Sequence, residues 1–368
     1  MSVTQNWIYN QLIYNTECKS AVLCQRLENI SEFPFPEVHP ICKGSGLSSV
    51  PARIQHKLLE QYPLKPHLSV INDFKPKVLH AHFLLEAWRN YRLIAQSGLP
   101  LVTTTYGQDV SSLWKRPFWM NRYHKIFELG SAYIVEGPFM KRALASLGCP
   151  EDKISVIKLG VDLSRIKKKE HKGKNSKVKI LFTGLNREKK GALIAATAFA
   201  QVCKLTEADL EFHLIGNGVF RKHTEAILEQ NGVLQKAVFH GYIPVNKYLE
   251  LLSESDIVLA PSVQAKDGDN EGGAPVVVIE ALAAGIPVVG SLHCDIPNIV
   301  QQGETGLLSK EKDVESLTRD LLLLVWDKDL RMSMGKRGIL YAESEHDIRK
   351  QVEKITAVYR KSLLDEHF

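Results

Sequence analysis

The chain has 368 residues, which at roughly 150 residues per domain predicts two domains. With 44% hydrophobic and 24% charged residues it has the composition of a globular protein with real cores, and no run approaches the ~20 apolar residues needed to span a bilayer. A net charge of +6 suits an anionic ligand or an anionic membrane surface and is too mild to imply nucleic acid.

The N-terminus lacks the basic start and apolar stretch of a signal peptide. The six cysteines, Cys18, Cys24, Cys42, Cys149, Cys203 and Cys294, form no CxxC pair and read as reduced thiols, mostly in cores. A cytoplasmic location follows as an expectation, with the inner face of the membrane as the surface such a basic chain would meet.

In chain order, a helix over 6–14 comes first. Short apolar runs then predict strands over 21–24, 78–82, 101–105, 132–135 and 154–157. The stretch 167–177, KKKEHKGKNSK, is polar, basic and without periodicity, so it cannot bury a core and reads as a solvated linker. Further strands follow over 179–183, 211–215, 237–239, 257–260 and 286–290. Helical spacing recurs over 141–147, 192–205, 246–253 and 348–364. Alternation of this kind argues for parallel sheets with helices on both faces. The organisation read from it is 1–166, the linker 167–177, 178–345, and a terminal segment 346–368. A doubly wound half usually opens with a strand and a glycine-bearing turn. This chain opens on a helix, so that first strand is absent from, or lies ahead of, the sequence given.

The most informative stretch is 267–287, DGDNEGGAPVVVIEALAAGIP. An acidic, glycine-rich loop meets Pro275, good helix formers follow from Glu280 to Ala284, and Gly285 is a ready C-cap. Three valines together make 275–279 a rival strand, but the proline and the capped, alanine-rich end favour a helix. A loop that opens a helix offers unpaired amides and the positive end of the helix dipole, a natural diphosphate site. Glu271 and Glu280 flank it, and carboxylates accept hydrogen bonds from vicinal hydroxyls of a sugar or a ribose. Together these features describe a nucleotide-sugar pocket.

Glu271-Gly272-Gly273-Ala274-Pro275 through Glu280-Ala281 resembles the paired-glutamate motif of the retaining GT-B glycosyltransferases of family 4, in the EGGAP spelling found in polysaccharide and lipopolysaccharide biosynthesis. Collinear matches run along nearly the whole chain. They include His80-Ala81-His82-Phe83, Tyr106-Gly107-Gln108-Asp109, Gly160-Val161-Asp162, Leu214-Ile215-Gly216-Asn217-Gly218, Phe239-His240-Gly241-Tyr242, Asp256 to Ser262 and Gly303 to Leu308. The fold the resemblance implies is α/β, GT-B, with two Rossmann-like domains whose parallel sheets face across a cleft. The 346–368 segment would cross back to the N-terminal domain.

The implied activity is sugar transfer from a UDP- or GDP-sugar to a saccharide or lipid-linked acceptor, with retention, and with neither cofactor nor metal. Glu271 would hold hydroxyls of the transferred sugar and Glu280 the ribose. The amides of Gly272, Gly273 and Ala274, with Pro275, Gly184 and Gly216, would line the donor site. Lys190 would neutralise the leaving diphosphate, a stabilisation of developing charge. The family arginine falls on Leu185, which cannot serve. Arg187, two residues on, either substitutes or is a solvated loop residue. Tyr106 and Gly107 mark the acceptor side, where the family has a histidine. A tyrosine titrates near about 10 and is a poor proton shuttle, so Asp109 becomes the polar group expected near the reacting sugar. The two glutamates are also one position further apart than in the family.

Other features weigh less. His80 and His82 share a strand face but lack a third ligand at useful spacing, so no metal is expected. His240 reads equally as structural or pocket-lining. The segment 113–127, LWKRPFWMNRYHKIF, is a core-facing helix with a basic outer face, or else an acceptor or membrane-surface patch. Two rival functions remain: a sugar-nucleotide epimerase, against which the paired-glutamate stretch argues, and a non-catalytic GT-B subunit, which the Leu185 and Tyr106 departures favour.

Overall fold

The computed structural model describes residues 6–40, 60–170 and 177–364. Cys42 and most of the basic linker lie outside them. Two compact units emerge, Met1–Gly160 with Ile348–Phe368, and Val161–Asp347. The second unit therefore starts ahead of the basic linker, and Lys169 already belongs to it, its N–H donating to the Ala284 carbonyl at 2.7 Å.

In the first unit β3 (Leu79–His82), β4 (Leu101–Thr104), β5 (Ala132–Val135) and β6 (Ile154–Val156) form a parallel sheet in that order. One face is covered by the helices Leu84–Arg89, Trp119–Leu129 and Pro138–Ser146, which bury Trp88, Trp119, Tyr123 and Met140. On the other face Val102, Ile134 and Ile157 meet Ile355 of the Ile348–Leu364 helix. The opening helix, Asn6–Tyr14, packs on that same terminal helix. The strands β1 (Val22–Cys24) and β2 (Val38–Pro40) pair with each other, apart from the four-stranded sheet. The aromatics of 113–127 are thus mostly core: Trp119 and Tyr123 are buried, while Phe118 stands exposed.

The second unit carries β7 (Val178–Thr183), β8 (Leu210–Ile215), β9 (Ala237–Gly241), β10 (Ile257–Ala260), β11 (Val288–Ser291) and β12 (Gly306–Ser309). They form one parallel sheet in the order β12-β11-β10-β7-β8-β9. The strand order reverses between β7 and β10, and in open α/β sheets the crevice at the carboxyl ends of the strands beside such a reversal is where ligands bind.

The valine run resolves as a helix, Val276–Ala284, with Pro275 at its N-cap and Gly285 at φ 78° closing it. Its residues from Val278 to Ala284 are all buried, and a helix apolar all round is a core helix. Burial outweighs the modest helix penalty of valine. Close packing is made by glycine: a Cβ on Gly335, in the Lys328–Glu345 helix, would lie 2.1 Å from the Gly285 carbonyl oxygen. Gly335→Ala should destabilise the protein by about 1–3 kcal/mol through overpacking, read as a lower urea midpoint with unchanged m.

Candidate functional site

The loops after β7 and β10, at the strand reversal, build the site. After β7 the chain turns at Gly184, φ 114°, where a Cβ would meet Lys190 Cγ at 2.6 Å. The glycine lets the lysine stem lie over the turn. Gly191, φ 74°, closes the loop, and a Cβ there would strike the Pro261 carbonyl oxygen at 2.0 Å. These contacts tie the β7 loop to the β10 loop and aim Lys190 at Glu271.

Lys190 Nζ lies 2.9 and 3.0 Å from the two Glu271 carboxylate oxygens, and Ser262 Oγ donates to Oε1 at 3.0 Å. The Glu271 side chain is 6% exposed. Burial alone would raise its pKa, but Lys190, Lys189 and the hydrogen bonds from Lys190 and Ser262 outweigh it and hold the carboxyl below its usual range. The extra loop residue has therefore not displaced Glu271 from Lys190. Lys189 anchors the same loop, reaching Asp269 Oδ1 at 3.2 Å and the Asn270 carbonyl at 2.8 Å.

The amides behave differently from expectation. Gly272 N–H donates to Asn270 Oδ1 at 2.9 Å and Gly273 N–H to the Glu271 carbonyl at 2.9 Å, so both are satisfied within the loop. Their glycine character serves the turn, where Gly272 has φ 71°. The N–H groups left for an anion are those of Ala274 and of the first helical residues, Val276 and Val277, which have no intrahelical partner. Gly216, φ 106°, donates to the Gly241 carbonyl at 2.8 Å and shapes the turn after β8. Leu185 is fully buried in the core, which explains why no arginine stands there. The Arg187 side chain is exposed and makes no ion pair or hydrogen bond among the described residues, while its carbonyl accepts the Lys190 N–H at 3.2 Å.

Glu280 is 5% exposed and accepts a hydrogen bond from Tyr248 Oη. Burial pushes its carboxyl up to about 7, against the Tyr248 bond and the nearby charge of Arg165. His240 sits where β9 bulges, its Nε2 2.9 Å from Nδ1 of the buried His213, which in turn meets Glu211 at 2.8 Å. That pairing gives His240 a partner within the sheet.

In the first unit Tyr106 and Gly107 lie at the end of β4, both buried. Tyr106 Oη is 2.9 Å from His82 Nδ1, and burial, with Glu136 nearby, keeps the phenol well above its ordinary pKa. Asp109 is not the expected contact for a reacting sugar. It is 1% exposed, and its two oxygens accept the N–H groups of Leu84 at 3.1 Å and Tyr106 at 3.0 Å. Burial raises its carboxyl to about 7 despite those bonds. Its role is to brace two strand-end loops. His80 sits between Tyr359 at 2.6 Å and Thr104 at 2.8 Å, and burial holds both His80 and His82 below the ordinary imidazole pKa, His82 to about 4.

Comparison with known proteins decides the family. The family described as Glycosyltransferase Family 4 matches residues 31–165, and that described as Glycosyl transferases group 1 matches residues 164–340. The chain belongs to the family 4 glycosyltransferases. It is 30% identical over 253 residues to WcaL of Escherichia coli K12, a protein provisionally named a colanic acid biosynthesis glycosyltransferase, covering 68% of this chain and 61% of WcaL. It is 29% identical over 239 residues to the amylovoran biosynthesis glycosyltransferase AmsK of Erwinia amylovora, covering 65% and 56%. The match thus spans little more than half the length of these relatives. The structure of Anabaena HepE in complex with UDP-glucose superposes with TM-score 0.76 at 15% identity, covering 97% of this chain and 96% of that one. The fold is GT-B.

Lys189, Tyr248 and His293 touch the candidate site, and the one-letter sequence did not single them out. Lys189 was legible as the neighbour of Lys190. Tyr248 lies 32 positions from Glu280 and became visible only with the fold. Folded Glu280 and Asp109 hold their protons to about 7, whereas free carboxyls release them near about 4. The folded protein therefore binds more protons across that window, and stability falls as pH rises from about 4 to about 7. Glu280→Gln should flatten this slope in urea titrations between pH 5 and 8, and the paired variant with Asp109→Asn should flatten it further.

Proposed function

We propose that the protein transfers a sugar from a UDP- or GDP-sugar to a saccharide or lipid-linked saccharide acceptor of a surface polysaccharide, with retention of configuration. The observation that carries this reading is the ion pair of the half-buried Lys190 with the buried Glu271 carboxylate, at the mouth of the Val276–Ala284 helix. An ionised Glu271 accepts hydrogen bonds from hydroxyls of the transferred sugar. The helix amides, Lys190 and the uncommitted Arg187 receive the diphosphate. Glu280, once ionised, accepts ribose hydroxyls.

In the proposed step the bond between the anomeric carbon and the terminal phosphate oxygen breaks. The acceptor oxygen bonds to that carbon on the same face, and its proton passes to the departing phosphate oxygen. Charge on the diphosphate is met by Lys190, Arg187 and the amides, so the route uses no metal. Asp109, with both oxygens committed, supplies no nucleophile for a double displacement.

Binding and slow hydrolysis across a panel of UDP-, GDP- and ADP-sugars test this. One donor should bind and turn over without added metal. Glu271→Gln should cut turnover at least about tenfold, as expected for a lost charge-assisted hydrogen bond, with a smaller change in affinity for the free nucleoside diphosphate. Binding without turnover by the wild type would favour a non-catalytic subunit, in keeping with the buried Leu185.

A membrane-borne acceptor fits a second observation. Phe118 is 77% exposed and held at φ 66°, flanked by exposed Lys115, Arg116 and Pro117. An aromatic tip among cations suits an anionic lipid interface. The protein should cosediment with phosphatidylglycerol vesicles more than with phosphatidylcholine vesicles, and Phe118→Ser should weaken that binding. Equal binding to both would contradict it.

A further inference from the structure

The loop that presents Glu271 runs from the end of β10 to the Val276–Ala284 helix, and two residues outside it hold it at both ends. His293, in the turn after β11, is 2% exposed. The Glu271 backbone N–H donates to His293 Nε2 at 3.3 Å. On the other side of the ring, His293 Nδ1 lies 2.6 Å from Glu311 Oε1. The second oxygen of Glu311 accepts the backbone N–H of Gln264 at 2.9 Å, near the start of the loop.

These contacts fix the tautomer. A nitrogen that accepts an N–H cannot carry a proton, so Nε2 is bare and the ring proton sits on Nδ1, donated to Glu311. The result is a continuous chain: Gln264 N–H to Glu311, His293 to Glu311, and Glu271 N–H to His293. The thiol of Cys294 adds to it, with Sγ 3.2 Å from His293 Nε2. Cys294 takes φ 47°, an uncommon backbone for a residue with a side chain, which the turn accepts in placing His293.

We propose that His293 and Glu311 are positioning residues, a clamp that spans the donor loop and keeps the Glu271 carboxylate against Lys190. The need for it follows from the loop itself. Its spacing carries one more residue than the family motif, and Lys189 restrains it at Val263, Asp269 and Asn270, all ahead of Glu271. The clamp instead holds the backbone of Glu271 itself. The proposal rests on the reading of Glu271 as the sugar contact.

Residue-level hydrogen exchange on the full chain tests the clamp without any ligand. In His293→Ala the Glu271 amide should exchange about tenfold faster or more, as one lost hydrogen bond allows, and in Glu311→Ala the Gln264 amide should do the same. Amides in β7 to β9 should keep their protection, which separates a local clamp from general loosening. His293→Gln, whose carboxamide oxygen can accept the Glu271 N–H, should restore much of the protection. Unchanged exchange at Glu271 in His293→Ala would overturn the clamp, as would failure of His293→Gln to rescue while the protein stays folded. In the donor assay His293→Ala should lose turnover alongside Glu271→Gln. A released amide with undiminished turnover in His293→Ala, while Glu271→Gln loses turnover, would overturn the clamp and leave the reading of Glu271 standing; undiminished turnover in Glu271→Gln would overturn that reading instead.

Discussion

A carboxylate taken out of water stays ionised only if a positive charge and hydrogen-bond donors replace what the water supplied. Glu271 meets that condition through Lys190 and Ser262, and the surrounding architecture serves to bring the three together. The lysine comes from the loop after β7 and the serine from the end of β10. Those strands are sheet neighbours on either side of the reversal in strand order. Glycines at 184 and 191 permit the approach, because any side chain there would meet the lysine stem or the Pro261 carbonyl. The pair is thus a consequence of topology and of two small residues, before it is a feature of chemistry.

The two glutamates of the motif end in opposite states. Glu271 is held ionised by cations, while Glu280, buried beside Tyr248, is pushed toward its neutral form. Both are carboxyls in one loop-helix unit, and their surroundings set their charge. A similar division holds in the first unit, where Asp109 is spent on backbone donors and His80 and His82 are kept neutral among hydroxyls. Buried polar groups there stiffen strand ends, and their hydrogen bonds are internal.

Much of the fold was legible because parallel strands buried on both faces read as short apolar runs. Each strand read from the sequence is present within two residues of its expected limits. The strands that escaped, β2 and β12, are three and four residues long and carry little apolar pattern. The Val276–Ala284 helix was legible from Pro275 and Gly285, even though its valines argue for a strand. The site was legible where function sits in side chains that share a motif, as with Glu271 and Lys190. It was misread where a backbone partner decides the role. Asp109 looked like an acceptor contact until its N–H donors were seen, and the Gly272 and Gly273 amides looked like phosphate donors until Asn270 and the Glu271 carbonyl took them. His293 gave no one-letter signal, because its work is done on a backbone 22 positions away.

The central claim is that the buried Glu271 carboxylate is coupled to the half-buried Lys190, with its charge depending on that lysine. A double-mutant cycle on thermal unfolding, with Lys190→Met, Glu271→Gln and the pair, tests it most directly. Lys190→Met leaves a buried carboxylate without its cation, so it should cost more than the double variant does, with a coupling of about 1 kcal/mol or more. Losses that simply add would contradict the account, because they would mean that Glu271 and Lys190 stand in the protein as independent charges.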